Sequence, residues 1–309
     1  MPKENPLYDE LSTDAVPAGL PMVVLMTGFT DAGSTVGQLV EWFRERQPFT
    51  ILRRYRNDAL LDYRARRPIV EFDQDHLTGY SPPRLEIVRT EDSEGRPFLL
   101  LMGYEPDFAW ESFTESVQQF VVATGASSVT WVHAIGMPVP HTRPIGATVS
   151  GNRPELSAAH SVWRPRTQVP ATAAHVLEYR LARADLPVAG FVLLVPHYLG
   201  DAEYPAAAIA GLDSVSAGTG LGFDVASFRT ENEGFLLKVG EQIAGSDELS
   251  RMLAALEQRY DAYMAGANPA GPLLHEGDLP SADELAAELE RYLATRPHTD
   301  GDGYGPARP

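Results

Sequence analysis

The chain has 309 residues, 44% of them hydrophobic, with 42 acidic against 25 basic side chains and a net charge of -17. That length and apolar content support a large core, in one large domain or two moderate ones. The absence of cysteine excludes disulfides, thiolate metal sites and cysteine catalysis and fits a cytoplasmic setting, while the acidity argues against nucleic acid or an anionic membrane as principal partner.

Residues 1–11 are polar and broken by proline, unlike a secretory signal. No apolar run approaches the ~20 residues that span a bilayer. Met22–Met26 is wholly apolar, ends at Thr27-Gly28, and is followed by Phe29-Thr30-Asp31-Ala32-Gly33 opening a helix. This is a buried strand turning tightly into a helix, the first half of a parallel βαβ unit. Val36, Leu39, Val40 and Phe43 recur at helical spacing, to an end near Gln47-Pro48. Phe49–Arg56 reads as a strand. Eight arginines fall within residues 44–67, either a contact surface for an acidic helix or a solvated face paired with its own glutamates. Leu85–Thr90 and Phe98–Met102 flank a turn at 91–95, and the second arm is apolar enough for a central strand.

Trp110, Phe113, Val117, Phe120 and Val121 mark a helix stopped by Gly125, and Ser128–Ile135 is the next strand. Residues 137–166 show no period beyond one short strand near Ala147–Ser150, and so long a loop is functional or an interface. A helix over 171–184, a strand over 191–195 and a helix over 206–212, with Pro205 at its first position, follow. Residues 231–265 give two helices parted at Gly245-Ser246, and Ser281-Ala282-Asp283-Glu284 is a capping box for a last helix to about Ala294. The predicted organisation is α/β, a mostly parallel sheet flanked by helices over 1–230, a helical C-terminal appendage over 231–295 and a disordered tail over 296–309.

If the strands are parallel, three loops meet at one edge of the sheet, where ligands of open α/β sheets sit. They bring Gly28, Phe29, Thr30, Asp31 and Gly33 together with Met137, His141 and Arg143, and with His197, Asp201 and Glu203. Each residue also has a plainer reading: Gly28 makes the turn, Asp31 caps the helix, and Gly33 admits the helix close to the sheet. An enzyme could bind an anion at Gly28–Asp31 with Arg143 as clamp and a histidine as acid or base, yet none of these spacings is a catalytic signature. No cofactor and no metal site are expected. Gly218-Thr219-Gly220-Leu221-Gly222 follows a helix and not a strand, so it is a connector and not a dinucleotide loop. His133 and Trp42, Trp110 and Trp131 lie on apolar faces and read as core. Leu249, Leu253, Leu256 and Tyr260 form a packing stripe that could face its own chain or a partner.

Three stretches, MTGFTDAGSTVGQLVEWF, AIGMPVPHTRPIGATVSG and VPHYLGDAEYPAAA, occur in an order and spacing that resembles the proteasome assembly chaperone family in its long actinobacterial form, over nearly all of residues 5–295. The resemblance implies a sandwich related to nucleoside phosphorylases and hydrolases, homo-oligomers with trimers among them, and proteasome-related partners. Family members of eukaryotes dock through a C-terminal hydrophobic-Tyr-any tripeptide, whereas this chain ends Ala307-Arg308-Pro309 with Tyr304 further in, which departs from that mode. The reading preferred at this level is a non-enzymatic assembly chaperone or scaffold. The alternative is a phosphate- or small-molecule-binding enzyme using the strand-end loops, which rests on analogy of fold.

Overall fold

The structure, a computed structural model, describes residues 6–12, 16–46, 48–164 and 166–266. In chain order the elements are β1 (Tyr8–Glu10), β2 (Pro21–Thr27), α1 (Thr35–Arg46), β3 (Phe49–Tyr55), α2 (Asn57–Leu60), β4 (Ile69–Asp73), β5 (His76–Ser81), β6 (Leu85–Glu91) and β7 (Pro97–Tyr104). Then come α3 (Trp110–Thr124), β8 (Ser128–Met137), β9 (Ala147–Gly151), α4 (Pro154–His160), α5 (Ala173–Arg183), β10 (Val188–Pro196), α6 (Pro205–Thr219), α7 (Ala226–Ala244) and α8 (Asp247–Met264).

Eight strands form one sheet in the order β1-β3-β6-β7-β2-β8-β10-β9. The four central strands, β7, β2, β8 and β10, are mutually parallel, and antiparallel strands flank them on both sides. Parallel strands are covered on both faces, which is why β2, β7 and β10 read as unbroken apolar runs. One core, on the face of α1, α6 and α7, gathers Val23, Leu25, Val36, Leu39, Phe43, Val195 and Leu212. The other, under α3 and α5, gathers Met22, Val24, Phe113, Val117, Trp131 and Leu177. The two sets from β2 alternate along the strand, as a period of two requires.

Several elements differ from the sequence reading. The strands β4 and β5 form a separate hairpin in a stretch that carries no strong turn signal. The irregular 137–166 stretch holds α4 as well as the expected β9. The helix α6 runs on to Thr219, seven residues past its expected end. Its last turns, residues 213–219, are mostly small and polar with Val215 their one large apolar residue, which hides an apolar period, and Gly211 and Gly218 let it press on Leu39 and Thr130. Residue 230, the expected domain boundary, falls within α7, and Phe228 and Val239 of that helix belong to the main core. The expected last helix (281–294) and tail (296–309) lie outside the described residues. The arginines of 44–67 are largely paired within the chain: Arg53 with Glu10, Arg54 with Glu86, Arg56 with Asp9, Arg64 with Asp62 and Arg66 with Asp107. No described helix is long and apolar enough to cross a membrane.

Candidate functional site

With β2, β8 and β10 parallel and adjacent, the loops after them share one edge of the sheet. Gly33 joins the first loop to the third. Its N–H donates to Gly200 O at 2.7 Å, and its own carbonyl accepts from Tyr204 N at 3.0 Å and from Gln38 Nε2 at 2.7 Å. It has a φ of +71° and lies 3.2–3.3 Å, measured from where a Cβ would stand, from side chains of Tyr204, Ala207 and Val195. Only glycine meets both demands without strain. The second and third loops join where His197 Nδ1 meets Met137 O at 3.2 Å and where Tyr198 Oη meets both the N–H and the Nδ1 of His141 at 2.8 Å.

The charged candidates have partners from the fold itself. Asp31 accepts the N–H groups of Val36 and Gly37, each at 2.8 Å, and so caps α1. Burial raises its pKa against those two bonds. Arg143 is held by α8: Nη2 lies 2.7 Å from Asp261 and Nη1 3.4 Å from Glu257. It is thus not the open clamp that an anion at Gly28–Asp31 would use, and its pairing follows from the acidic face of α8. Thr142 adds a bond to Glu257, and Tyr260 and Tyr263 donate to the carbonyls of Pro144 and Val162. The long loop is therefore tied down by α8 of the same chain. Asp201 and Glu203 are exposed.

Two groups not proposed from sequence complete the edge. Glu105, immediately after β7, is buried; it accepts from Phe29 N at 3.3 Å and from Ala173 N, the first residue of α5, at 2.6 Å. Burial raises its pKa, and a side chain at Gly28 would run into its carboxylate. A carboxylate following an all-apolar strand is the signal that could have found it. His133, read as core, is indeed buried, yet its Nε2 lies 3.0 Å from Thr30 Oγ1. Burial, with His175 beside it, pushes its pKa down to about 4, so it is a neutral hydrogen-bonding group at pH 7. Below it, Glu178 accepts from Trp131 Nε1 and Ser150 Oγ, each at 2.8 Å. Among the described residues no group of three or more His, Asp or Glu is placed to hold a metal.

Not all of the edge is closed. The Phe29 side chain is 73% exposed and Phe108, in the loop after β7, is 50% exposed. The hairpin belongs to this edge as well. Strand β3 is antiparallel to β6, and β6 to β7, so β3 runs parallel to β2 and the β4–β5 insertion leaves from the same side. Val70 pairs with Tyr80 and Phe72 with Leu77 across the hairpin. These four form one apolar face, and all four are exposed, Phe72 at 71% and Leu77 at 63%.

These features define a three-layer α/β protein whose strand-end loops are laced to one another and packed against its own helix α8. The chain belongs to the PAC2 family, whose sequence pattern matches residues 25–243. Similar structures include a protein of unknown function from Corynebacterium glutamicum (29% identity, 85% of this chain and 99% of that one, TM-score 0.81). A Mycobacterium tuberculosis protein of unknown function shares 34% identity over 86% of this chain and 92% of its own, with a TM-score of 0.79. A proteasome-assembly chaperone homologue of M. tuberculosis has the same fold at 22% identity, over 76% of this chain and all of its own length, with a TM-score of 0.67. No curated protein matches the sequence.

Proposed function

We propose that this protein is a non-enzymatic, self-assembling chaperone or scaffold that works through the strand-end edge and the hairpin beside it. The uncovered apolar face of the hairpin, Val70, Phe72, Leu77 and Tyr80, carries this reading. A two-stranded ribbon is marginal in water unless its apolar face is packed, and contiguous exposed apolar surface marks protein contact. The candidate ligand-binding side chains support it from the other side, since Asp31 and Arg143 are engaged as cap and helix tether. A second copy of the chain covers the hairpin, and Phe29 and Phe108 serve a client. The kinship with a proteasome-assembly chaperone homologue makes subunits of proteasome type the client to test first. Separately produced α-type and β-type subunits of the same cells, mixed with and without this protein, should assemble faster with it on native gels. Phe29→Asp should remove the gain. Equal assembly in all three mixtures, with no complex formed, would refute the chaperone reading.

A further inference from the structure

At the root of the β4–β5 hairpin the fold leaves an open cleft of about 740 Å³, within the ~300–1,000 Å³ range of small-molecule sites. It lies where β3 passes into α2 and where the chain returns from β5 to β6. Of the hairpin's apolar face only Tyr80 lines it.

Bonds of the fold fix the walls. Asn57 donates from Nδ2 to the Pro83 carbonyl at 2.8 Å and accepts from Tyr104 Oη at 2.7 Å, which pins the returning chain to α2. Arg54 Nε lies 2.7 Å from the buried Glu86 and Arg56 Nε 3.1 Å from Asp9. These two guanidiniums are committed to carboxylates of the chain itself.

Two charges on the lining are left over, Arg84 and Asp58. Both are exposed, and neither is a member of the ion pairs in these walls or of any other among the described residues. Asp58 accepts at Oδ1 from the Tyr63 hydroxyl at 2.9 Å, a neutral donor that leaves its charge unanswered. The same cleft therefore carries one unpaired cation and one unpaired anion, together with the rings of Tyr63 and Tyr80 and the prolines at 82 and 83.

We propose that this cleft binds a small zwitterion with an aromatic side chain, a free amino acid or a short peptide, its carboxylate on Arg84, its ammonium on Asp58 and its ring against the tyrosines and prolines. A guanidinium fork matches a carboxylate with two parallel bonds, an ammonium supplies three donors to a carboxylate, and tyrosine rings pack well on another ring. Each exposed charge pair adds little alone, so binding requires both charges and the ring together. The ligand would bridge α2 and the chain leaving the hairpin. The walls come from a single chain, so failure of this site would leave the scaffold reading untouched.

The test is calorimetry of the full-length protein with L-phenylalanine in one arm and the dipeptide L-phenylalanyl-L-phenylalanine in the other, which separates an amino-acid site from a peptide site. L-Phenylalaninamide, which lacks the carboxylate, and N-acetyl-L-phenylalanine, which lacks the ammonium, serve as one-charge probes. At least one zwitterion should give saturable heat, and both one-charge probes should bind at least tenfold more weakly. Arg84→Met and Asp58→Asn should each weaken the zwitterion at least tenfold and melt as wild type does, because both side chains are exposed and asparagine still accepts from Tyr63. Arg251→Met, at an exposed site of α8, should bind as wild type does. No saturable heat with either zwitterion, one-charge probes that bind equally well, or binding unchanged in both cleft variants would overturn the proposal.

Discussion

His133 sets a pH dependence that can be reasoned from one side chain. In the unfolded chain an imidazole takes up its proton as pH falls through about 6.5, whereas in the fold burial beside His175 keeps His133 neutral down to about 4. Between those values the unfolded state binds more protons, so stability falls as pH falls. The difference is worth about 3 kcal/mol once pH reaches 4. Burial also depresses His141, His175 and His197, which adds to the same trend, while the raised carboxyls of Asp31, Glu105 and Glu178 oppose it, because folding then favours their protonated forms above about pH 4. The contribution of His133 is isolated by comparison. Urea unfolding of His133→Gln, which keeps a polar partner for Thr30, should lose about 3 kcal/mol less than wild type between pH 7 and pH 4. Parallel losses in the two proteins would show that His133 titrates normally.

At the scale of elements, Gly33 is where the first loop and the β10 loop become one structure. Gly33→Ala must force a side chain into a left-handed φ and into 3.2–3.3 Å contacts with Tyr204, Ala207 and Val195, which should cost about 2 kcal/mol; a melting temperature equal to wild type would mean that the loops part easily. The same element shows what the sequence could reveal. The strand-turn-helix at 22–46 was legible because its apolar run, its Gly28 turn and its Asp31 cap all agree, and the cap is present as read. The convergence of the three loops followed from strand parallelism alone. What the sequence hid was partnership across distance. Arg143 reads as a free cation until Asp261, 118 residues later, is folded against it, and Glu105 reads as one acid among 42 until Phe29 and Ala173 point their N–H groups at it. The hairpin at 69–81 was missed for a different reason. Its apolar residues are exposed in the single chain, so no period marks a buried face, and an extra residue in β5 opposite Glu71 and Phe72, Thr78, sets Leu77 and Tyr80 out of alternation.

For the molecule as a whole, the strand-end edge divides into a closed part and an open part. In the closed part Asp31, Glu105, His141 and Arg143 find partners in a helix start, the loops and α8, and the open part presents Phe29, Phe108 and the apolar face of the hairpin. A net charge of -17 opposes non-specific association, but charge does not dry an apolar ribbon; another protein surface does. A stable contact of this kind between copies would bury roughly 1,200–2,000 Å² or more. The decisive measurement is sedimentation equilibrium of the wild-type chain and of Phe72→Asp combined with Leu77→Asp, both at micromolar concentration. Wild type should sediment at a whole multiple of 33.8 kDa and the double variant as a single chain with an unchanged circular dichroism spectrum. A wild-type monomer, or a double variant that stays assembled, would contradict self-association through the hairpin.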